Sequence, residues 1–137
     1  MLKVLIVDDE TVVRRGIVLG LDWAAMDCVV VGEAANGEEG LAAAERYSPN
    51  LIITDVRMPR MDGIEMMRRL REQDCTAHFI VLTAYDEFDY ARSALRCGAA
   101  DYLLKPFRDQ DLMAAIARVR EQEGAARPAE DTLLLPK

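Results

Sequence analysis

Short apolar runs alternate with helix-forming segments along the chain. Five runs have the length of a strand and lack polar alternation, at residues 2–7, 28–31, 51–54, 79–83 and 102–104. Such runs are typical of parallel strands that helices cover on both faces. The pattern therefore predicts five β-then-α units in one doubly wound α/β sheet, because right-handed crossovers place helices on both faces.

Helical periodicity fills the segments between the runs. Apolar residues recur at helical spacing in three of them: Val13, Ile17 and Leu21; Ile64, Met67 and Leu70; Leu112, Ala115, Ile116 and Val119. Two more helices are predicted over about 37–47 and 87–97. Ser48-Pro49-Asn50 is expected to end the second helix and Gly98 the fourth, whereas Asp109 can cap the fifth. Asn36-Gly37 is interpreted as a strand-to-helix turn, because helix-forming residues follow it.

The length of 137 residues is that of a single domain with its own core. We expect this domain to cover residues 1–123. From Gly124 onward the helical pattern decays, so residues 124–137 are predicted to be a flexible tail or the start of a linker.

Composition excludes several functional classes. A net charge of −7 makes the domain a poor direct binder of nucleic acid. No apolar run is long enough for a membrane span, and the N-terminal run is too short for a signal peptide. Three widely spaced cysteines without a C-x-x-C pair indicate reduced thiols and a cytoplasmic protein.

Acidic residues fall where two predicted strands end. Asp8 and Asp9 follow the first run and Asp55 the third, while Thr83 ends the fourth and Lys105 follows the fifth. In the flavodoxin-like strand order 2-1-3-4-5 the first and third strands are neighbours, so three carboxylates converge at the ligand-binding edge of the sheet. A hard cation with oxygen ligands relieves their repulsion. Mg²⁺ fits better than a fully caged Ca²⁺, and the lone His78 lies at the wrong end to support zinc.

This set of groups has the chemistry of a phosphoryl acceptor. An aspartate can attack phosphorus in line while a metal ion and a lysine neutralise the developing charge and a hydroxyl donates a hydrogen bond. Any one of these residues could simply be a solvated residue at a loop end. Their combination at the same end of four strands is more specific.

The chain resembles the response-regulator receiver domains of bacterial two-component signalling over residues 1 to about 123. The motifs that carry the resemblance are Ile6-Val7-Asp8-Asp9-Glu10, Asp55-Val56-Arg57-Met58-Pro59-Arg60-Met61-Asp62-Gly63, Thr83-Ala84 and Lys105-Pro106-Phe107. The resemblance implies that Asp55 accepts phosphate from a sensor histidine kinase. Such a domain is a signalling switch that catalyses its own phosphorylation and dephosphorylation, and it is not otherwise an enzyme.

The resemblance also implies roles for the neighbouring residues. Asp9 and Asp55 would ligate Mg²⁺ directly, Asp8 would act through water, and the backbone carbonyl of Arg57 would supply a further ligand. Thr83 and Lys105 would bind the phosphoryl group, and the Lys105–Pro106 peptide bond is expected to be cis.

The same resemblance implies a switch. Thr83 would move toward the phosphoryl group and Tyr102 would swing into the vacated space, which would remodel the surface of the fourth helix, fifth strand and fifth helix. Tyr102 could instead be an ordinary half-buried tyrosine. Arg57 and Tyr85 are predicted to line the access route for attacking water and to tune the lifetime of the phosphoaspartate.

Further motifs are similar to receivers attached to AraC-type helix-turn-helix regulators: Leu21-Asp22-Trp23, the segment from Thr83 to Ala91, and Leu103-Leu104-Lys105-Pro106-Phe107. This likeness implies control of transcription through a DNA-binding domain outside the chain. The resemblance to receiver domains also implies that the chain could form a homodimer on phosphorylation.

Three alternatives use the same residues differently. A phosphatase or mutase would need a general acid two residues after Asp55, where Arg57 stands. A flavin mononucleotide carrier would need a phosphate-cradling loop after the first strand, where the acids would repel phosphate. An interaction module would keep the fold and signal without phosphorylation, which Mg²⁺-dependent labelling by a small phosphodonor would exclude.

Overall fold

The computed structural model describes residues 1–84 and 88–134. Its strands are β1 (Leu2–Val7), β2 (Cys28–Ala34), β3 (Leu51–Asp55), β4 (His78–Thr83) and β5 (Asp101–Leu104). The α-helices are α1 (Thr11–Gly20), α2 (Gly37–Tyr47), α3 (Gly63–Glu72), α4 (Phe88–Arg96) and α5 (Asp109–Leu134), and a 3₁₀ turn spans Ala24–Met26. All neighbouring strands are parallel, in the order β2-β1-β3-β4-β5, which confirms the predicted fold class.

The core has two layers, one on each face of the sheet. Along β1, Val4 and Ile6 face the layer that holds α1 and α5, whereas Leu5 and Val7 face the layer of α2, α3 and α4. The α5 residues that recur at helical spacing lie in the first layer and are 0 to 1% exposed: Leu112, Ala115, Ile116 and Val119. Burial on both faces explains why the three inner strands lack polar alternation.

The two outer strands differ from this expectation. β5 is half-buried from residue 101 to 103 and exposed at Leu104, and β2 runs three residues beyond the predicted end at residue 31, to Ala34. An edge strand has a neighbour on one side only, so it accepts glycine and charged residues that an inner strand would exclude. The purely apolar run therefore covers only the first part of β2.

Local turn chemistry sets most helix ends as predicted. The Asn36 side chain accepts a hydrogen bond from the N–H of Glu39 at 2.9 Å, which confirms a helix start and not a hairpin. Ser48 ends α2 in the left-handed conformation, and Gly98 follows α4 with φ +85°. Glycine suits that position because other residues rarely adopt a positive φ.

The start of α5 corrects one detail. Asp109 is the first residue of the helix and does not cap it. Instead, the carboxylate of Asp111 accepts a hydrogen bond from the N–H of Arg108 at 3.1 Å. An acid in the first turn can reach back to the preceding N–H, as in a capping box, so the nearest acid is not always the cap.

α5 continues to Leu134, past the domain boundary that the sequence pattern suggests near residue 123. The division into a domain and a tail or linker stays a prediction. Within the described part of the chain, every helix is too short or too polar to cross a membrane.

Candidate functional site

The carboxyl ends of four strands bring the candidate residues to one edge of the sheet. Asp8 follows β1, Asp55 ends β3, Thr83 ends β4 and Lys105 follows β5. β3 lies between β1 and β4, and Asp55 pairs with Leu82, next to Thr83. The sheet order thus assembles residues that are up to 97 positions apart in the chain.

Four acidic residues form a compact cluster at this edge. One carboxylate oxygen from each of Asp8, Asp9, Glu10 and Asp55 lies within 4.8 Å of the others. Asp8 and Asp55 are buried, whereas Asp9 and Glu10 are exposed. Glu10 was not among the predicted ligands. The signal for it was present in the sequence, because Glu10 continues the acidic run up to the start of α1.

The two oxygens of Asp8 have different surroundings. Oδ1 accepts a hydrogen bond from the N–H of Glu10 at 2.9 Å. Oδ2 is buried and has no hydrogen-bond partner among the described residues, although it lies 3.6 Å from Lys105 Nζ. Burial raises the pKa of this carboxyl, against the lowering effect of the Glu10 N–H and of Lys105.

Asp55 is the acid closest to Lys105. Its Oδ1 accepts from the N–H of Val56 at 2.8 Å, and its Oδ2 lies 3.3 Å from Lys105 Nζ. Burial and the neighbouring Asp8 charge raise the pKa of Asp55 to about 6, even though Lys105 works in the opposite direction. A carboxylate with a raised pKa is a stronger nucleophile that is still ionised at neutral pH.

Lys105 connects the two buried acids. Its N–H donates to the carbonyl of Thr83 at 2.7 Å, which holds the residue beside β4, and its peptide bond to Pro106 is cis, as the resemblance implies. Burial acts to lower the pKa of the ammonium, but the charges of Asp55 and Asp8 outweigh it and the pKa is raised. Lys105 is therefore a fixed cation at this site.

Thr83 carries the second unpaired polar atom of the site. The residue is 0% exposed, and its Oγ1 has no hydrogen-bond partner among the residues that the structure describes. A buried hydroxyl without a partner is costly, so it indicates a group whose partner arrives with a ligand.

The donor set fits Mg²⁺. Carboxylate oxygens are the ligands that hard divalent cations prefer, and the buried Oδ2 of Asp8 offers an oxygen that has no hydrogen bond among the described residues. Two of the four acids are exposed, which leaves room for the waters that Mg²⁺ retains. Nitrogen and sulfur ligands are lacking in this cluster, so zinc remains unsuited to it.

The remaining predicted residues lie near this edge or outside the described chain. The side chain of Arg57 is exposed in the loop between β3 and α3, and Tyr102 is half-buried on β5 against the layer of α2, α3 and α4. Tyr85 lies outside the described residues. The proposed roles of all three residues in water access or switching stay predictions.

A cleft of about 360 Å³ opens at the opposite end of the strands from the buried acids, beside Ser48, Asn50 and Cys75. His78, the one histidine of the chain, lies at this end with Nε2 2.9 Å from Glu123 Oε1. The histidine is therefore a partner of α5 and is not a ligand at the acidic site.

Comparison with known proteins agrees with this geometry. The sequence model of the family described as "Response regulator receiver domain" matches residues 4–117, most of the chain. The chain belongs to the response regulator receiver domain family. Receiver domains are signalling switches of two-component systems.

Three relatives illustrate the similarity of this receiver domain to known proteins. The transcriptional regulatory protein YesN of Bacillus subtilis (strain 168) is 34% identical over 119 residues, which are 87% of this chain and 32% of YesN. The structure of the REC domain of AraT, a response regulator from Geobacillus stearothermophilus, is 43% identical with a TM-score of 0.86, over 92% of this chain and 98% of that one. A two-component transcriptional regulator AraC from Clostridium phytofermentans ISDg is 31% identical with a TM-score of 0.81, over 88% of this chain and 94% of that one.

The receiver domain spans about a third of YesN and less than half of HptR of Staphylococcus aureus (strain NCTC 8325 / PS 47), at 32 and 46% of their lengths. The relatives therefore carry further chain outside the matched region.

Proposed function

We propose that this receiver domain accepts a phosphoryl group on Asp55 from the phosphohistidine of a sensor histidine kinase, in a reaction that needs Mg²⁺. The observation that carries the proposal is a set of two buried oxygens beside Asp55 that have no hydrogen-bond partner among the described residues, Asp8 Oδ2 and Thr83 Oγ1. Asp8 Oδ2 is suited to a cation, and Thr83 Oγ1 is suited to a phosphoryl oxygen. Transfer of a phosphoryl group in the presence of Mg²⁺ would supply both partners.

Each residue contributes a separate part of the reaction. An oxygen of Asp55 forms a bond to phosphorus while the bond from phosphorus to the kinase's histidine nitrogen breaks, and the electron pair of that bond leaves with the imidazole. Lys105 pairs with a phosphoryl oxygen and Thr83 donates a hydrogen bond to another. Asp8, Asp9, Asp55 and the carbonyl of Arg57 would hold Mg²⁺, which supplies charge neutralisation at the transferring oxygens when bound.

The phosphorylated site would act as a switch. Phosphorylation adds nearly two negative charges and new acceptor oxygens beside Thr83. We expect Thr83 to move toward these oxygens and Tyr102 to fill the space, which alters the surface of α4, β5 and α5 and can favour a homodimer. The domain would also catalyse loss of its own phosphoryl group, with Arg57 and Tyr85 controlling the approach of water.

The wider role rests on the relatives. Because YesN is named as a transcriptional regulatory protein, we propose that this receiver controls transcription through a DNA-binding domain outside the chain. The acidic receiver itself would not contact DNA. We expect it to act in the cytoplasm, where its three free thiols would stay reduced.

Intact-mass spectrometry after incubation with Mg²⁺ and acetyl phosphate tests the proposal, because this donor transfers its phosphoryl group and releases acetate. We expect one phosphate adduct on the wild type and none on Asp55→Asn or without Mg²⁺. A wild type that stays folded but takes up no phosphate would contradict the proposal and favour an interaction module that signals by binding alone.

A further inference from the structure

Arg14 joins the acidic site to the neighbouring strand. It lies on α1, and its Nη1 donates a hydrogen bond to the backbone carbonyl of Asp8 at 2.7 Å. On the other side of the guanidinium, Nε donates to Oε1 of Glu33 on β2 at 3.0 Å. The Arg14 side chain is 14% exposed, and its bond to Asp8 is partly buried, whereas its bond to Glu33 is exposed. The planar guanidinium matches this arrangement because its donors point in fixed, different directions.

The bond from Arg14 completes the set of contacts that fix Asp8. The N–H of Asp8 donates to the carbonyl of Ala34 at 3.0 Å, and its Oδ1 accepts from the N–H of Glu10. With the carbonyl held by Arg14, the polar atom of Asp8 that remains without a hydrogen bond among the described residues is Oδ2. These bonds hold Asp8 in place through other atoms and leave Oδ2 without a hydrogen bond among the described residues.

We propose that Arg14 is a positioning residue for the cation site, which orients Asp8 through its backbone without touching the cation or the phosphoryl group. The inference rests on the proposed function, since it assigns Asp8 Oδ2 to a bound Mg²⁺ or to a water of that ion. Glu33 is the anchor that keeps the guanidinium in place. Groups that orient metal ligands from behind commonly change metal affinity by tenfold or more when they are removed.

The sign of the effect separates positioning from simple charge. Arg14 carries a positive charge near a cation site, so its charge alone opposes Mg²⁺ binding. If charge were the whole effect, removing Arg14 would tighten Mg²⁺ binding. If Arg14 positions Asp8, its removal weakens Mg²⁺ binding in spite of the reduced repulsion.

Arg15 is the matched control. It is the next residue on α1 and pairs with Oε2, the second oxygen of Glu33. Its side chain is 45% exposed, and in the described structure it makes no hydrogen bond to Asp8. Replacing Arg15 therefore removes one positive charge and one partner of Glu33 and leaves the bond to the Asp8 carbonyl intact.

The test is Mg²⁺ titration of the full 137-residue chain by isothermal calorimetry. We expect Arg14→Ala to raise the Kd for Mg²⁺ about tenfold. We expect Arg14→Lys to weaken binding as well, because lysine lacks the rigid fork whose separate nitrogens reach Asp8 and Glu33. Arg15→Ala should leave the Kd within about twofold of the wild type or slightly lower it, as expected for a screened surface charge.

Three results would overturn the proposal: an unchanged or lower Kd in Arg14→Ala, an equal loss in Arg15→Ala, or full recovery in Arg14→Lys. Thermal unfolding without Mg²⁺ checks that each variant folds. If Arg14→Ala does not fold, Arg14→Met keeps an apolar side chain of similar length but removes the charge and both hydrogen bonds, and it should raise the Kd for Mg²⁺ in the same direction; an unchanged or lower Kd in that variant would also overturn the proposal. A wild type that itself bound no Mg²⁺ would contradict the proposed function instead.

Discussion

At the scale of single residues, the site contains buried polar groups that destabilise the free domain and that a bound ligand can stabilise. Thr83 has a hydroxyl that is buried and unpaired among the described residues, and Asp55 is a buried carboxyl next to a second one. Neither feature helps the domain to fold. An unsatisfied buried hydroxyl costs about 1–3 kcal/mol, and burying a charged carboxylate beside a second one is also unfavourable. Such features are understandable where a phosphoryl group later supplies the missing partner.

Thr83→Val tests this interpretation, because valine keeps the shape of threonine and removes the hydroxyl. We expect the unphosphorylated variant to be at least as stable as the wild type, by up to about 1 kcal/mol, as an unpaired group is lost. Urea unfolding measures this. The same variant should accept phosphate on Asp55 more slowly in the mass assay. A clear loss of stability would show that the hydroxyl already has a partner in the free protein.

At the scale of elements, the loop from β3 to α3 is held by close backbone contact. The N–H of Gly63 donates to the carbonyl of Val56 at 2.8 Å. A Cβ at Gly63 would collide with the backbone carbonyl oxygen of Asp55. α3 can therefore begin directly behind the acceptor residue only because its first residue has no side chain. Asp62 caps the helix by accepting from the N–H of Glu65 at 2.8 Å.

Gly63→Ala should lower the free energy of unfolding by about 1–3 kcal/mol, because the backbone of Asp55 or of α3 must shift to admit the methyl group. We also expect slower phosphate uptake, since the acceptor is displaced. Gly16→Ala is the control: a Cβ there meets no atom within 4 Å, and alanine in an exposed helix should stabilise α1 by up to about 1 kcal/mol. Equal stability changes in the two variants, measured in urea, would refute the steric explanation.

At the scale of the whole molecule, the acidic site links stability to pH and to Mg²⁺. The folded chain holds the proton of Asp55 more tightly than the unfolded chain does, because its pKa is about 6 against an ordinary 3.8. The wild type therefore loses free energy of unfolding at this site as pH rises through that range. Any cation that binds only the folded form restores stability.

Asp55→Asn removes this titration and should make the metal-free domain more stable at pH 8 by about 3 kcal/mol, with little difference at pH 3.5. Urea unfolding with a chelator present, at several pH values, measures the difference between the two proteins. Added Mg²⁺ should then raise the stability of the wild type more than that of the variant. A difference that did not change with pH would contradict the assignment of the raised pKa to Asp55.

The sequence alone determined the strand count and predicted the set Asp8, Asp9, Asp55, Thr83 and Lys105, because apolar runs and their final residues are local features. The strand order is not local, and its prediction came from the flavodoxin-like arrangement expected for such a chain. The match to the receiver family and the parallel sheet confirmed that class of fold. Glu10 continues the same acidic run. Its place in the cluster was not predicted, because the position of its side chain is set by the folded structure.

Only the tertiary structure decided which atoms of these residues are unpaired and what holds them. The bond from Arg14 to the Asp8 carbonyl depends on how α1 packs beside β2, and the contact of Gly63 with Asp55 depends on where α3 begins in space. The extent of β2 was likewise set by its position at the edge of the sheet. Periodicity reports which face of an element is apolar, but hydrogen bonds between distant elements depend on distances that exist only once the chain has folded.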